Sequence, residues 1–526
     1  MKMPTFSYNH QPAWNLYAEG RTQGIFQLES NLGRQWSKKV SPTNLEELSA
    51  LVAIIRPGCL NVVIDGKNIA QHYVDRKNGT EAVTYLHPSL KNILESTQGV
   101  MIYQEQAMLI SQQLAGFNLK EADGLRKAIG KKKSNLMAKI RTQFISGCGK
   151  TGVVTEDEGK EIFDQVEKSA RYLFNKSHSL TYAVDSYLSA WNKAWFPEDF
   201  FVTYLEFAAK KSDTRDYAIY ALVSEAKLFD IECRLPKLTC YDAHFDMVGN
   251  DIVFGIKDIK SLLKKAGDKI LLSIKEVEVE TGKAASEFTW MDVLLNLGTK
   301  IDATSFKALA SIGFFDTPSV NVSRNKALYE YSILRELTDA EKRWVIAEYP
   351  KRQWTTLAQC FTDLAPLKKE GKGGTNGVER KQIIESEIQL IENPPYDLAD
   401  DPTWIIDQEA KFAGCPISYA RIDAADTAGA NTTCKEIANG QNGKDLCVAG
   451  NITRVANVTI KKGKTKGQLM SFLTIEDETC SLDGVIVFPD TRKKCEYFLY
   501  EGNNLLFCGS VSKKDNSFIV DKIQEI

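Results

Sequence analysis

The sequence predicts a multidomain α+β protein that ends in a small β-barrel, and three observations carry this prediction. The chain has 526 residues and is 43% hydrophobic, which is enough for several buried cores. Apolar residues recur at helical spacing from about residue 15 to residue 230. After Leu446 the pattern changes to short strand-like segments, which are separated by turns rich in Gly, Lys, Asp and Asn.

The first of these regions is predicted to be mostly helical. One apolar stripe runs from Tyr103 to Leu114 at spacings of three and four residues. A longer stripe runs from Ser179 to Trp195 and stops before Pro197, because a helix cannot easily continue through proline. The Arg-Pro-Gly segment at 56–58 marks a helix stop.

The middle of the chain is less regular. From about residue 235 to 330 short strands alternate with short helices, and a charged helical region follows from about 324 to 365. The Gly- and Lys-rich segment 368–377 is the clearest linker, and a second polar stretch covers 427–444.

The end of the chain predicts an OB-fold barrel. A helix is expected at 490–499, between the third and fourth strands, and five strands with a helix after the third are typical of that fold. The five strand-like segments lie near 446–460, 468–476, 482–488, 504–512 and 517–523.

Composition excludes several classes of protein. Lys and Arg number 66 and Asp and Glu 68, so a nucleic-acid surface must be a local concentration of charge. The eleven cysteines form no Cys-x-x-Cys pair, and the five histidines have no metal-ligand spacing. We therefore expect no zinc site and a reduced cytosolic compartment. No apolar run is long enough to predict a membrane span.

The densest basic cluster lies at 125–133. Arg126, Lys127 and the run Lys131, Lys132 and Lys133 could bind a triphosphate or a DNA backbone, since both need several cations at close range. From charge alone, a solvated surface helix is the favoured alternative.

A second cluster, at 174–179, combines Lys176 and His178 with hydroxyls just before a predicted helix, where free backbone amides attract anions. The alternative is an N-cap formed by Ser177 or Ser179. Arg56 is displayed at a helix end and could reach phosphate. The polar segments 27–30 and 103–106 have no spacing rule, and they are interpreted as helix surface or inter-helix hydrogen bonds.

The predicted barrel carries a basic hairpin tip between its first two strands. Loops at this position of OB folds commonly contact single-stranded nucleic acid. Phe472 and Phe488 could stack on bases, although aromatic residues in so small a barrel are more often core. The lysines of the tip are Lys461, Lys462, Lys464 and Lys466.

Acidic residues do not predict a catalytic metal site in this chain. Two-metal phosphoryl transfer needs two or three converging carboxylates. The acidic residues at 242 and 246, at 400–401 and at 476–478 are better interpreted as solvated loop or turn residues. We therefore predict no catalytic and no metal-binding residue here.

Seven segments occur in the order found in the bacterial-type replicative DNA polymerases of family C, the polymerase III alpha subunits, and resemble their carboxy-terminal half. Similarity continues more weakly at 254–260, 306–316, 409–418 and from 446 to the end. The segments are 24–30, 51–58, 73–79, 103–106, 125–133, 174–179 and 191–200.

The resemblance implies four parts. Residues 1–235 would be the polymerase fingers region, 236–330 a small helix-hairpin-helix-like module, 331–445 a helical and linker region, and 446–526 the OB-fold nucleic-acid-binding domain. The module departs from the family because Asp258 and Ser261 replace glycines.

The resemblance also implies residue roles. Arg126, Lys127, Lys176, His178 and, more loosely, Arg56 would bind the incoming nucleotide. Lysine at position 127 replaces the family's arginine and lacks its planar fork. Contacts to DNA would come from Lys131, Lys132, Lys133, Lys461, Lys462, Lys464 and Lys466.

The family's PHP, thumb and palm domains, with three catalytic aspartates, would precede residue 15. We therefore expect a split DNA-directed DNA polymerase, in which a separate chain carries the PHP and palm domains and the Mg²⁺, and in which this chain alone is inactive. DNA and dNTP are the expected partners, with a sliding clamp as a further candidate although no convincing clamp-binding peptide is found. The expected compartment is the cytoplasm, or the host cytoplasm for a viral source. The alternatives are a non-catalytic DNA-binding protein derived from such a polymerase and an inactive remnant.

Overall fold

A computed structural model describes residues 6–131, 134–368, 376–441, 443–460, 463–512 and 517–526. The chain forms two compact units, Met1–Pro197 and Glu198–Ile526. The predicted α+β class is confirmed, because helices dominate the chain and a closed barrel forms from its last strands. No helix in the described ranges is both long enough and apolar enough to cross a bilayer.

The first unit is almost entirely helical. Its one small hairpin pairs β1 (Val63–Ile64) with β2 (Lys67–Asn68). Its helices are α1 (Gln11–Glu19), α2 (Asn31–Val40), α3 (Leu45–Ile54), α4 (Pro57–Asn61), α5 (Ile69–Lys77), α6 (Lys91–Leu94), α7 (Gln104–Ala115), α8 (Leu119–Lys131), α9 (Ser134–Thr151), α10 (Glu156–Ser169) and α11 (Lys176–Trp195).

Helix α11 organises this unit. Its buried face carries Ala183, Tyr187 and Ala190 at helical spacing, and it packs against α1 and α3. The helix begins at Lys176, three residues before the predicted start. The Arg-Pro-Gly segment separates α3 from α4, so it both ends one helix and begins the next, with proline in the first turn of α4 as its fixed φ favours.

The second unit combines helices with a three-stranded sheet and a barrel. The three-stranded sheet has the order β3-β5-β4. Before the barrel its elements are α12 (Pro197–Ala209), α13 (Arg215–Ala226), β3 (Cys233–Arg234), β4 (Asp246–Val248), β5 (Asp251–Val253), α14 (Lys265–Thr281), α15 (Gly298–Lys300), α16 (Ala303–Ser311), α17 (Arg324–Arg335), α18 (Asp339–Arg352), α19 (Leu357–Leu364), α20 (Asn376–Glu392), α21 (Pro402–Ala413) and α22 (Cys434–Ala438).

One hydrophobic core runs through this helical part, from Phe201 to Cys415. It therefore crosses the proposed boundaries at 235/236 and 330/331, and the four-part division remains a prediction. The helix α20 begins at Asn376, so the end of the predicted linker is helical, whereas its residues 369–375 lie outside the described part of the chain.

The last strands close into a five-stranded barrel with the topology of an OB fold. The strands are β6 (Leu446–Thr459), β7 (Leu469–Glu476), β8 (Ser481–Val487), β9 (Asn504–Val511) and β10 (Phe518–Glu525). The neighbour order is β10-β8-β7-β6-β9, with β8 and β10 parallel and the other pairs antiparallel. The predicted helix between the third and fourth strands is α23 (Pro489–Cys495), followed by a 3-10 turn.

Two cysteines of the barrel differ from the expectation of reduced thiols. Cys447 on β6 lies directly opposite Cys508 on β9, and their sulfurs form a disulfide. The other nine cysteines are free. The strand register brings together two residues 61 positions apart, which the spacing of cysteines along the sequence does not reveal.

Candidate nucleotide and nucleic-acid interface

The start of α11 is capped by Asn175, not by Ser177 or Ser179 as predicted. The Asn175 Oδ1 accepts a hydrogen bond from the His178 backbone amide at 2.8 Å. Ser179 is instead fully buried, and its hydroxyl lies 2.9 Å from the hydroxyl of Ser49. A side-chain N-cap at this helix start was predicted correctly, but the capping residue is Asn175 and not one of the two serines.

Glu105, from the first turn of α7, completes this cap. Its carboxylate accepts hydrogen bonds from the Asn175 side-chain amide at 2.9 Å and from the Lys176 backbone amide at 2.8 Å. An acid already neutralises part of the positive end of the helix. A phosphate bound at this end of α11 must therefore be held mainly by side chains.

Arg56 joins the same surface through Phe174. Its guanidinium carbon lies 3.6 Å from the centre of the Phe174 ring, and Nε and Nη2 donate to the Ala53 carbonyl at 2.9 and 2.6 Å. Burial lowers the pKa of Arg56, although a guanidinium keeps its charge in proteins. The neighbouring Gly58 packs closely on Tyr172, since a Cβ at position 58 would lie 3.2 Å from the Cβ of Tyr172.

Lys176 and His178 lie in the first turn of α11, directly after Phe174 in the chain. The Lys176 Nζ is 3.3 Å from Glu46 Oε1 and 5.7 Å from the centre of the Tyr103 ring, and the side chain is 37% exposed. The exposed His178 ring is 5.4 Å from that of Phe174. Two of the five predicted nucleotide-binding residues, Arg56 and His178, thus contact Phe174, and a third, Lys176, lies over the ring of Tyr103, whose backbone pairs with Phe174.

Arg126 and Lys127 are held elsewhere, on α8. Both bind Asp123: the Arg126 Nε and Nη2 donate to Oδ1 at 2.9 and 2.7 Å, and the Lys127 Nζ lies 2.7 Å from Oδ2. Lys127 and Arg126 together hold the pKa of Asp123 below its usual value. The Arg126 fork is therefore occupied by an acid. No hydrogen bond or ion pair among the described residues joins these two cations to α11.

The basic run after Arg126 cannot be placed. Residues 132 and 133 and the side chain of Lys131 lie outside the described part of the chain, so the DNA-binding role of Lys131, Lys132 and Lys133 remains a prediction.

Hydrogen bonds explain the polar segments 27–30 and 103–106, for which the sequence offered no spacing rule. Ser30 caps α2 by accepting from the Gly33 amide at 3.1 Å. The buried Gln106 Oε1 accepts from the amides of Ile102 and Tyr103, both at 2.9 Å. Glu105 in the same segment makes hydrogen bonds to the start of α11, which agrees with the interpretation of this segment as a source of inter-helix hydrogen bonds.

The barrel presents its own candidate surface. Lys464 and Lys466 are exposed in the turn between β6 and β7, whereas Lys461 and Lys462 lie outside the described residues. Phe472 is half-buried on β7, opposite Ala456 and Ile486, and Phe488 is 43% exposed where α23 begins. Neither ring belongs to the buried barrel core, so both are accessible to a base.

The acidic turn between β7 and β8 corrects the expectation of solvated acid. Asp477 is 3% exposed, and its carboxylate accepts from the Cys434 amide at 2.6 Å and from the Thr479 amide at 2.9 Å. Burial raises the pKa of Glu476. These acids are structural, since they close the turn and cap α22. Within the described ranges, His, Cys, Asp and Glu form no group of three that could hold a metal ion.

The two features described above are a helix start with cationic side chains nearby in the first unit and a barrel of OB topology with a basic turn in the second. Residues 1–152 match the family model of the bacterial DNA polymerase III alpha subunit finger domain. Over most of its length the chain is similar to bacterial DNA polymerase III alpha subunits.

Similarity to relatives covers almost the whole chain. The chain is 28% identical over 518 residues to DNA polymerase III subunit alpha of Halalkalibacterium halodurans, and the match covers 98% of this chain and 41% of that protein. For the Escherichia coli K12 subunit the identity is 29% over 520 residues, covering 96% and 40%. The Aquifex aeolicus subunit is 37% identical over 306 residues, covering 58% and 25%. The chain thus spans about two fifths or less of the length of these relatives.

Proposed function

We propose that this chain supplies the nucleotide-binding and DNA-binding surfaces of a DNA-directed DNA polymerase. The observation that carries the proposal is the pair of contacts that Arg56 and His178 make with Phe174, together with Lys176 over the ring of Tyr103, whose backbone pairs with Phe174. Two fixed cations and an imidazole within one small surface suit the several negative charges of a triphosphate.

Lys176 is the principal nucleotide ligand in this proposal. Its ammonium pairs with Glu46 at 3.3 Å, and the glutamate side chain is 58% exposed, so a phosphate can replace that partner at little cost. Arg56 is less adaptable, because its Nε and Nη2 already bind a carbonyl. It contributes positive potential and holds Phe174 in position.

Arg126 and Lys127 form a second cationic position in the proposal. Asp123 occupies both of them in the absence of ligand, and binding of a phosphate requires exchange of that acid for the ligand. Because the three side chains are about one third exposed or more, the ion pairs are weak and the exchange is feasible.

The catalytic carboxylates and their Mg²⁺ belong to a separate polypeptide in this hypothesis, which carries the PHP and palm domains. Magnesium ions there would activate the primer hydroxyl and neutralise charge on the reacting phosphate. The residues of this chain bind and orient the triphosphate and hold the DNA.

Primer extension tests the proposal. The full chain alone, the palm-bearing polypeptide alone and their mixture would be compared on a primed template with and without Mg²⁺. Templated, Mg²⁺-dependent extension by the mixture only is the expected result. Extension by this chain alone would contradict the split arrangement, and no extension by a complex that forms and binds DNA would favour a non-catalytic DNA-binding role.

A further inference from the structure

A row of aromatic rings continues from the candidate nucleotide site along α11. The His178 ring lies 4.2 Å from that of Tyr182, one helical turn further on, and Tyr182 makes an edge contact of 5.2 Å with Phe26. Phe26 is 37% exposed and His178 is exposed, whereas Tyr182 is partly buried. These three aromatic rings lie next to one another and remain at least partly accessible to water. The packing of this unit does not require such an arrangement.

The loop that presents Phe26 is anchored from beneath. The ammonium of the fully buried Lys193 donates to the carbonyls of Arg21 and Gln23, at 3.3 and 2.7 Å. The Thr22 hydroxyl donates to the Leu28 carbonyl at 2.7 Å. Both ends of the short loop are therefore fixed, and α11 supplies one of the anchors as well as the neighbouring ring.

The backbone of this loop is also in an uncommon conformation. Gln27 is exposed and has a φ of 67°, in the left-handed region that residues other than glycine seldom adopt. Such conformations cost free energy and persist where the surrounding structure enforces them, often at functional sites. Here the conformation turns the chain so that Phe26 and Gln27 are both presented at the surface.

We propose that Phe26, Tyr182 and His178 form a stacking platform for unpaired bases of a DNA strand. The inference rests on the proposed function in that DNA is taken as the ligand. Every base has a π face, so stacking on aromatic side chains binds single strands with little sequence preference. Lys176 and Arg56 at one end of the row provide positive charge for the strand's phosphates.

The extent of the row favours a strand over the base of a single nucleotide. His178 and Tyr182 are one helical turn apart on α11, and Phe26 extends the row beyond Tyr182. Neighbouring ring centres are 4.2 and 5.2 Å apart, so the row offers several rings to successive bases of a strand. The hydroxyl of Tyr182 makes no hydrogen bond to the described residues, so its ring is the recognition element.

Photocrosslinking with 5-iodouracil tests the platform, because this base crosslinks to aromatic side chains on which it stacks. The full chain would be used with Lys464→Ala and Lys466→Ala, so that binding by the barrel is weakened. A single-stranded oligonucleotide carrying 5-iodouracil is expected to crosslink to Phe26, Tyr182 or His178, as located by peptide mass spectrometry.

Variants give the affinity readout. Tyr182→Ala and Phe26→Ala should each weaken binding of the oligonucleotide about tenfold in this background, with no change in the salt dependence, because stacking carries no charge. Tyr182→Phe should retain wild-type binding. Leu180→Ala on the same helix, which removes an exposed apolar side chain outside the row, is the matched control.

Three results would overturn the platform: crosslinks confined to the barrel, crosslinks of these rings to free 5-iodo-dUTP but not to the oligonucleotide, or no oligonucleotide binding by the full chain. Loss of primer extension with the crosslinks retained would overturn the proposed function alone. Loss of the crosslinks with extension retained would overturn the platform alone.

Discussion

The carboxylate of Glu105 accepts a hydrogen bond from the backbone amide of Lys176 at 2.8 Å, across 71 positions of the chain. An acid from α7 thus fixes the first residue of α11 while the Lys176 ammonium stays partly exposed. The backbone amides at the helix start are engaged in hydrogen bonds within the protein. A ligand at this site would therefore contact the side chains of Lys176 and His178.

Replacing Glu105 by alanine should destabilise the first unit. The change leaves the Asn175 amide and the Lys176 amide without their partner and removes a charge-assisted cap, which should lower the free energy of unfolding by about 1–3 kcal/mol. Urea unfolding measures the effect. Glu161→Ala, at an exposed position of α10, is the control, and equal losses in the two variants would show that the Glu105 contacts contribute nothing.

Asp123→Asn should strengthen phosphate binding at α8. The substitution removes the acid that holds Arg126 and Lys127, and the competing ion pairs are exposed and weak. Affinity for dNTP or DNA is expected to rise about 2- to 5-fold at low salt, as measured by fluorescence anisotropy. An unchanged affinity in Asp123→Asn, together with an unchanged affinity in Arg126→Ala, would assign α8 to the solvated surface.

The turn of the barrel should contribute to binding of single-stranded DNA through charge. Replacing Lys461, Lys462, Lys464 and Lys466 by alanine should reduce the slope of log affinity against log salt by roughly 0.7 for each phosphate that the variant no longer neutralises. Lys381→Ala on α20, where the lysine lies near Glu385, is the control. A slope that does not change in the barrel variant would leave these lysines as a solvated turn.

The barrel could be predicted from the sequence because each of its strands is marked by a pattern of neighbouring residues. Alternating apolar residues and turn residues define each strand, and the position of α23 between β8 and β9 fixes the fold. The cap of α11 could not be predicted so closely, because Asn175 and Glu105 are 70 positions apart and only the tertiary fold brings them together. The pairing of Asp123 with Arg126 and Lys127 is local by contrast, since these residues are three and four positions apart on one helix.

The prediction for the acidic turn at 476–478 was wrong in one respect, the burial of Asp477. Residues 476–478 have the composition of a solvated hairpin, yet Asp477 is buried because the Cys434 amide at the start of α22 needs an acceptor. Composition predicts where a turn lies, whereas tertiary packing decides which of its acids is buried.

Glu341 should make the stability of the second unit depend on pH. Burial alone would raise its pKa, but hydrogen bonds from Arg380 and Lys368 outweigh this effect and lower the pKa to about 2. A lowered pKa gives stability that is fully present above the usual value of 4.5 and is lost as the pH falls towards about 2.

The matching variant is Glu341→Gln. It should cost about 2 kcal/mol of unfolding free energy at pH 7, and the cost should shrink below about pH 4 as the wild-type carboxylate becomes protonated. Urea unfolding at pH 7, 5 and 3 measures this difference. A cost that stays constant over the whole range would mean that the ion pairs do not contribute.

In the proposed function, Lys176 binds the triphosphate of the incoming nucleotide. Single-nucleotide incorporation by the reconstituted assembly tests it most directly, with gel-shift affinity for primer-template measured on the same proteins. Lys160→Ala, at an exposed position of α10, removes the same charge outside the site and is the control.

Lys176→Ala is expected to lower the incorporation rate about 30- to 1000-fold, equivalent to roughly 2–4 kcal/mol of transition-state stabilisation, and to leave DNA affinity nearly unchanged. Arg126→Ala should act in the same direction, whereas Lys131→Ala should weaken DNA binding in a salt-sensitive way. An incorporation rate of Lys176→Ala equal to that of Lys160→Ala, with only DNA binding weakened, would contradict the assignment of the nucleotide site.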